Sequence, residues 1–131
     1  MIIRISVISC ILISLNAFGQ DNNRWIYYFE NSEGQLWYYD YETAVRDSKS
    51  NAYVWVKVEY SIPVYDTYRK KYKTKVLLRF KIECYNYKIG IMSGITYFDD
   101  GTLFSYDNDY VDMETVAPET MGESLFKEFC K

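Results

Sequence analysis

The chain has 131 residues, with 15 Lys and Arg against 18 Asp and Glu, a formal net charge of −3 and no histidine. Such a charge is ordinary for a soluble protein and gives no whole-molecule attraction to nucleic acid. The missing histidine removes the commonest general base, the Ser-His and Cys-His nucleophile pairs and the commonest zinc ligand, so no enzyme is expected.

The N-terminus reads as a secretory signal over residues 1–20. Arg4 gives the positive start, Ile5 to Leu15 is mostly apolar, and Asn16-Ala17-Phe18-Gly19-Gln20 turns small and polar. The apolar run falls short of the ~20 residues a membrane span needs, so cleavage is placed near Gly19 or Gln20. Val7-Ile8-Ser9-Cys10 loosely matches a lipoprotein cleavage box, but a cut there leaves too short a signal for a charged start plus an apolar core. The mature chain, 21–131, is about 111 residues, one domain by size. No second apolar run approaches membrane length.

Tyrosine is abundant, 15 residues in all, and the chain is rich in strand-favouring side chains. Arg24 to Glu30 reads as a first strand with Trp25, Tyr27 and Phe29 on one face. Asn31 to Gln35 is a hairpin loop with Gly34 available for positive φ. Leu36 to Asp40 returns as the second strand, and Val45 to Asp47 pairs briefly in an otherwise ambiguous polar stretch. Asn51 to Ser61 alternates, with Val54, Val56 and Val58 on one face and Tyr53, Trp55, Lys57 and Glu59 on the other. Lys73 to Cys84 alternates again: Val76, Leu78, Phe80, Ile82 and Cys84 point one way, Lys75, Arg79, Lys81 and Glu83 the other, and Leu77 is the exception. Tyr87 to Phe98 follows with Ile89, Ile91, Ile95 and Tyr97 inward. Asp99-Asp100-Gly101-Thr102 is a hairpin turn, Leu103 to Tyr106 a short strand, and Asp107 to Ala117 an acidic connecting loop. Thr120-Met121-Gly122-Glu123 is a capping box, after which Met121, Leu125, Phe126 and Phe129 share a helical face with Cys130 at its edge. The expected fold is α+β: an antiparallel β-sheet of about six strands with a C-terminal α-helix packed on one face.

Once Cys10 leaves with the signal, two cysteines remain in an oxidising compartment. Cys84–Cys130 is therefore the expected disulfide, against the alternative of two free buried thiols. It would close a loop of about 46 residues, worth roughly 4 kcal/mol in the chain-entropy account.

An ordered set of residues carries a family resemblance. It runs from Trp25 through Leu36-Trp37-Tyr38-Tyr39-Asp40, Val54-Trp55-Val56 and Lys81-Ile82-Glu83-Cys84. It continues with Ile95-Thr96-Tyr97-Phe98-Asp99, Gly101, and Pro118-Glu119-Thr120-Met121-Gly122-Glu123-Ser124-Leu125 on to Cys130. With these the chain resembles the bacterial surface-adhesin E family. The resemblance implies a compact antiparallel sheet with a C-terminal helix, self-association, and display in the periplasm or on the outer surface of a Gram-negative cell. It also implies binding of host matrix proteins, and haem binding is associated with the family. Tyr85-Asn86-Tyr87 stands where a basic residue is expected, and Met113 near where a Trp is common.

Among local features, Arg69-Lys70-Lys71-Tyr72-Lys73-Thr74-Lys75 places five cations in seven residues of an acidic protein. Arg69, Lys70, Lys71, Lys73 and Lys75 are read as an exposed extended patch for an anionic partner, set against a solvated guard for a sheet edge. Tyr53, Trp55, Trp37 and Tyr39 would form an aromatic surface on the wet face. Asp107, Asp109, Asp112 and Glu114 offer calcium-like oxygens without the Gly and spacing of an EF-hand, so a solvated loop is preferred. Tyrosine can ligate haem iron, but no tyrosine is singled out, and no cofactor is expected. The implied partners are a host extracellular-matrix protein or an anionic polymer, with a homodimer as a further expectation. The competing reading is a periplasmic or envelope-associated structural domain with no host ligand.

Overall fold

The computed structural model describes residues 24–131; residues 1–20, read above as a signal, and with them Cys10, lie outside the described residues. Eight strands form one antiparallel sheet: β1 (Trp25–Glu30), β2 (Gln35–Asp40), β3 (Val45–Arg46), β4 (Asn51–Asp66), β5 (Lys71–Glu83), β6 (Lys88–Phe98), β7 (Leu103–Asp107) and β8 (Glu114–Thr115). The order is β1-β2-β4-β5-β6-β7, with β3 on β4 and β8 on β6. One helix, α1 (Met121–Phe129), follows. The six long strands are those expected. The two-residue β8 lies inside the stretch expected to be loop, and β4 runs past Ser61 to Asp66.

That extension tolerates a proline because the ladder opens around it. Glu59 pairs with Lys75 and the next β4 partner is Val64, opposite Lys73. Pro63 therefore sits where no ladder bond is required of it.

The helix starts as its sequence dictates. The Thr120 hydroxyl accepts from the Glu123 amide at 3.3 Å, which satisfies one otherwise orphaned donor. The return bond differs from the expected box: the Glu123 carboxylate accepts from the Glu119 amide at 3.5 Å, one residue before the cap. Leu125 is fully buried, and Met121, Phe126, Phe129 and Cys130 pack around it on Val54, Val56, Phe80 and Ile82. Tyr39 meets Phe129 edge-on, with centroids 5.1 Å apart. Cys84 and Cys130 are bonded, with Cα atoms 5.3 Å apart. The helix is thus fixed to the end of β5 both covalently and by burial.

Two bulges move side chains to the face opposite the one expected. In β1, Tyr27 pairs with Tyr38, but Phe29 rather than Tyr28 comes opposite Trp37. Tyr28 is the extra residue and packs on the core, so Phe29 leaves the face of Trp25 and Tyr27. In β6, Ile91 pairs with Phe80 while Ser93 pairs with Arg79, leaving Met92 extra. Beyond it Ile95 lies opposite Leu77 and Tyr97 opposite Lys75, on the face away from α1; they are not inward. Gly94 and Phe98 take the core side instead and are buried. Gly94 has no room for a side chain, because a Cβ there would lie 2.6 Å from the Tyr106 ring.

Candidate functional site

The basic segment is a turn plus the start of a strand, so the expected extended stretch from Arg69 begins only at Lys71. The Asp66 carboxylate accepts from the Tyr68 and Arg69 amides, each at 2.9 Å. The Lys70 amide donates to the Asp66 carbonyl at 2.7 Å, and Lys70 itself has φ of 55°. The Arg69 amide bond, then that of Tyr68 and the charges of Arg69 and Lys73, hold the Asp66 carboxyl below the usual range.

The five cations do not share one face. Lys71 pairs with Asp100 at 3.2 Å, donates to the Thr102 hydroxyl at 2.7 Å and stands over the Phe98 ring at 5.0 Å. Lys75 stands over Tyr97 at 4.5 Å. Tyr97 and Phe98 are neighbours on one strand and point to opposite faces, so Lys71 and Lys75 do too. Arg69 lies 3.7 Å over the Phe104 ring, and Lys70 is exposed at the tip. Arg69, Lys70, Lys71 and Lys73 therefore cluster at the β4–β5 hairpin end, while Lys75 belongs to the sheet face that α1 leaves open.

That open face is the second candidate surface. Pairing places Tyr38 with Lys57, Trp55 with Arg79, and Tyr53 with Lys81. Lys57 sits between two rings, 5.1 Å from Trp25 and 4.7 Å from Tyr38, and also pairs with Glu59 at 3.1 Å. Lys81 reaches Glu83 at 3.9 Å. Lys57, Lys75, Arg79 and Lys81 thus share with Glu30, Glu59, Glu83 and Asp107 a mixed-charge face floored by Trp25, Tyr38, Trp55 and Leu77. Trp37 and Tyr39, expected here, lie on the other side: Tyr39 is opposite Val56 and only 6% exposed, and Trp37 is opposite Val58 against the core. Trp25 and Tyr38 take their place. Sequence reasoning missed that pair because β2 is apolar at successive positions and has no polar alternation to phase it.

Among the described residues no group of three or more His, Cys, Asp or Glu side chains converges on a point. Nor is any helix there long and apolar enough to cross a membrane.

The model of the family described as surface-adhesin protein E matches residues 25–131. No curated protein matches. Among solved structures, crystal form II of Haemophilus influenzae protein E superposes with a TM-score of 0.63 at 18% identity, covering 82% of this chain and 87% of that one. The selenomethionine form of that protein gives 0.62 at 18%, covering 82% and 86%. Protein E from non-typeable Haemophilus influenzae gives 0.60 at 18%, covering 82% and 76%. At this identity the likeness establishes a shared fold.

Proposed function

The chain belongs to the surface-adhesin protein E family, and on that premise we propose that it is an exported, non-enzymatic domain that holds an anionic partner at the cell surface. The partner is a polyanion or an acidic stretch of a host matrix protein. One observation carries this reading. Arg69, Lys70, Lys71 and Lys73 gather at one hairpin end, and Lys75, opposite Glu59, shares the open sheet face with Lys57, Arg79 and Lys81, so cations are locally dense on a chain of net charge −3. Screening confines each charge to about 8 Å at physiological salt, so a docked partner feels these cations more than the distant acids. The aromatic floor adds flat apolar area that suits a binding interface.

The test is heparin binding by the disulfide-bonded protein. Lys70→Glu, Lys73→Glu and Lys75→Glu together should abolish binding with the melting temperature unchanged. Lys71 is spared because it is committed to Asp100. Undiminished binding by the triple variant would leave these cations as a solvated guard of the sheet edge and sink the reading.

A further inference from the structure

A cavity of about 490 Å³ opens beside α1. Its floor is Phe80, Ile89, Ile91 and Met121, and its rim carries Asp112 and Glu114. The size falls within the range of small-ligand sites, and the pattern of apolar floor and few polar groups is theirs as well.

The rim is held at both ends. At its start the Asn108 amide donates to the Met92 carbonyl at 2.8 Å, and the Asn108 side-chain amide donates to the Ile91 carbonyl at 2.9 Å. At its end Glu114 is paired with Ile89 through β8. Between them the loop lies so close to β6 that a Cβ at Gly90 would stand 2.7 Å from the Asp112 carbonyl oxygen. The loop that carries both acidic residues is therefore fixed against β6 by backbone contacts. Among the described residues neither Asp112 nor Glu114 has a cation partner, and no Lys or Arg lines the cavity. Tyr110, 83% exposed, adds an aromatic ring at the mouth.

We infer that this cavity binds a primary ammonium group carried on an apolar chain. The chain lies on Phe80, Ile91 and Met121. The ammonium meets Asp112 and Glu114 by charge-assisted hydrogen bonds, and the Tyr110 ring gives it a face to approach. A carboxylate or phosphate ligand is opposed by the rim. A neutral alkyl chain leaves the two charges unanswered.

Methyl NMR of the full disulfide-bonded protein tests this with pentylamine, 1-pentanol and pentanoate as probes. Saturable shifts of the Ile89, Ile91 and Met121 methyls are expected with pentylammonium alone. Asp112→Asn with Glu114→Gln should weaken them about tenfold, the equivalent of ~1.4 kcal/mol. Both positions are exposed, so an unchanged melting temperature checks the fold. Equal binding of pentanol or pentanoate, or full binding by the double variant, overturns the inference. A lysine-bearing peptide amide that displaces pentylamine places the ammonium on a protein partner. A peptide that fails to do so confines the site to free amines. Either result keeps the ammonium selectivity.

Discussion

Asp40 shows how one buried charge is made tolerable. It is fully buried, which alone raises a carboxyl pKa; hydrogen bonds from Arg24, Thr43 and the Glu42 amide, and the Arg24 charge, overcome that and leave it lowered. The Arg24 bond is 2.9 Å and its guanidinium is partly exposed. Asp40→Ala strips the acceptor from three donors and should cost about 2–3 kcal/mol in denaturant melts. A carboxyl with a lowered folded pKa contributes stability above its unfolded value, near 4, and loses it as pH falls through the folded value. Asp47 and Asp100 act in the same direction. Backbone bonding from Asn51 brings Asp47 to about 2, and the Thr102 hydroxyl and amide bring Asp100 to about 2. The protein should therefore lose stability between about pH 4 and pH 2. Asp40→Asn should flatten that loss only in part, since Asp47 and Asp100 remain; an unaltered pH profile in the variant would refute the role given to Asp40. At the same scale, Gly90→Ala forces a methyl against the Asp112 backbone. It should cost about 1–3 kcal/mol and shift the amide resonances of residues 111–113.

At the level of elements, α1 is held by three separable devices whose sizes differ. Its cap is worth about 1 kcal/mol, so Thr120→Ala should lower stability by that amount. Leu125 is 0% exposed beneath it, and Leu125→Ala should cost about 2–5 kcal/mol through lost transfer energy and the cavity left behind. The disulfide closes a sequence separation of 46 residues, and reducing it should cost roughly 4 kcal/mol by constraining the unfolded chain less. Guanidinium midpoints with and without reductant measure the last term. If reduction cost more than the Leu125 change while the cap change cost nothing, the helix would be tethered rather than capped. The legibility of these devices was high. Thr120, Leu125 and Cys130 each stand at a spacing that only a capped helix explains, whereas the return bond of Glu123 to the Glu119 amide depended on a backbone turn at Glu119, φ 60°, that spacing does not encode.

On the scale of the molecule, charge is distributed unevenly. Cations gather at the β4–β5 hairpin end, while Asp112 and Glu114 line the cavity by α1. Binding of a polyanion should weaken steeply with salt, and the loss should appear mainly in the association rate. Surface plasmon resonance at two salt concentrations measures it, and salt-insensitive association would argue for the aromatic floor instead. Surface display has its own check. Protease treatment of intact cells should cleave the protein, and complete protection would favour a periplasmic or envelope-associated structural role.

Local sequence determined the strands, the hairpin turns at Gly34 and Gly101, the C-terminal helix and the partner of Cys84. The reason is that period, turn chemistry and export context are written in neighbouring residues. Val54, Val56, Val58, Phe80 and Ile82 announced the core face because polar residues alternate with them. Tertiary structure alone decided which face several aromatics take. Residues opposite one another across a ladder share a face, and one extra residue reverses every side chain beyond it. The extra Tyr28 in β1 and Met92 in β6 did this to Phe29, Ile95 and Tyr97. Trp37 and Tyr39 were assigned by Val58 and Val56 across the sheet, and the five cations were divided between two faces in the same way. Such a reversal is set by the partner strand's register, which no single segment contains.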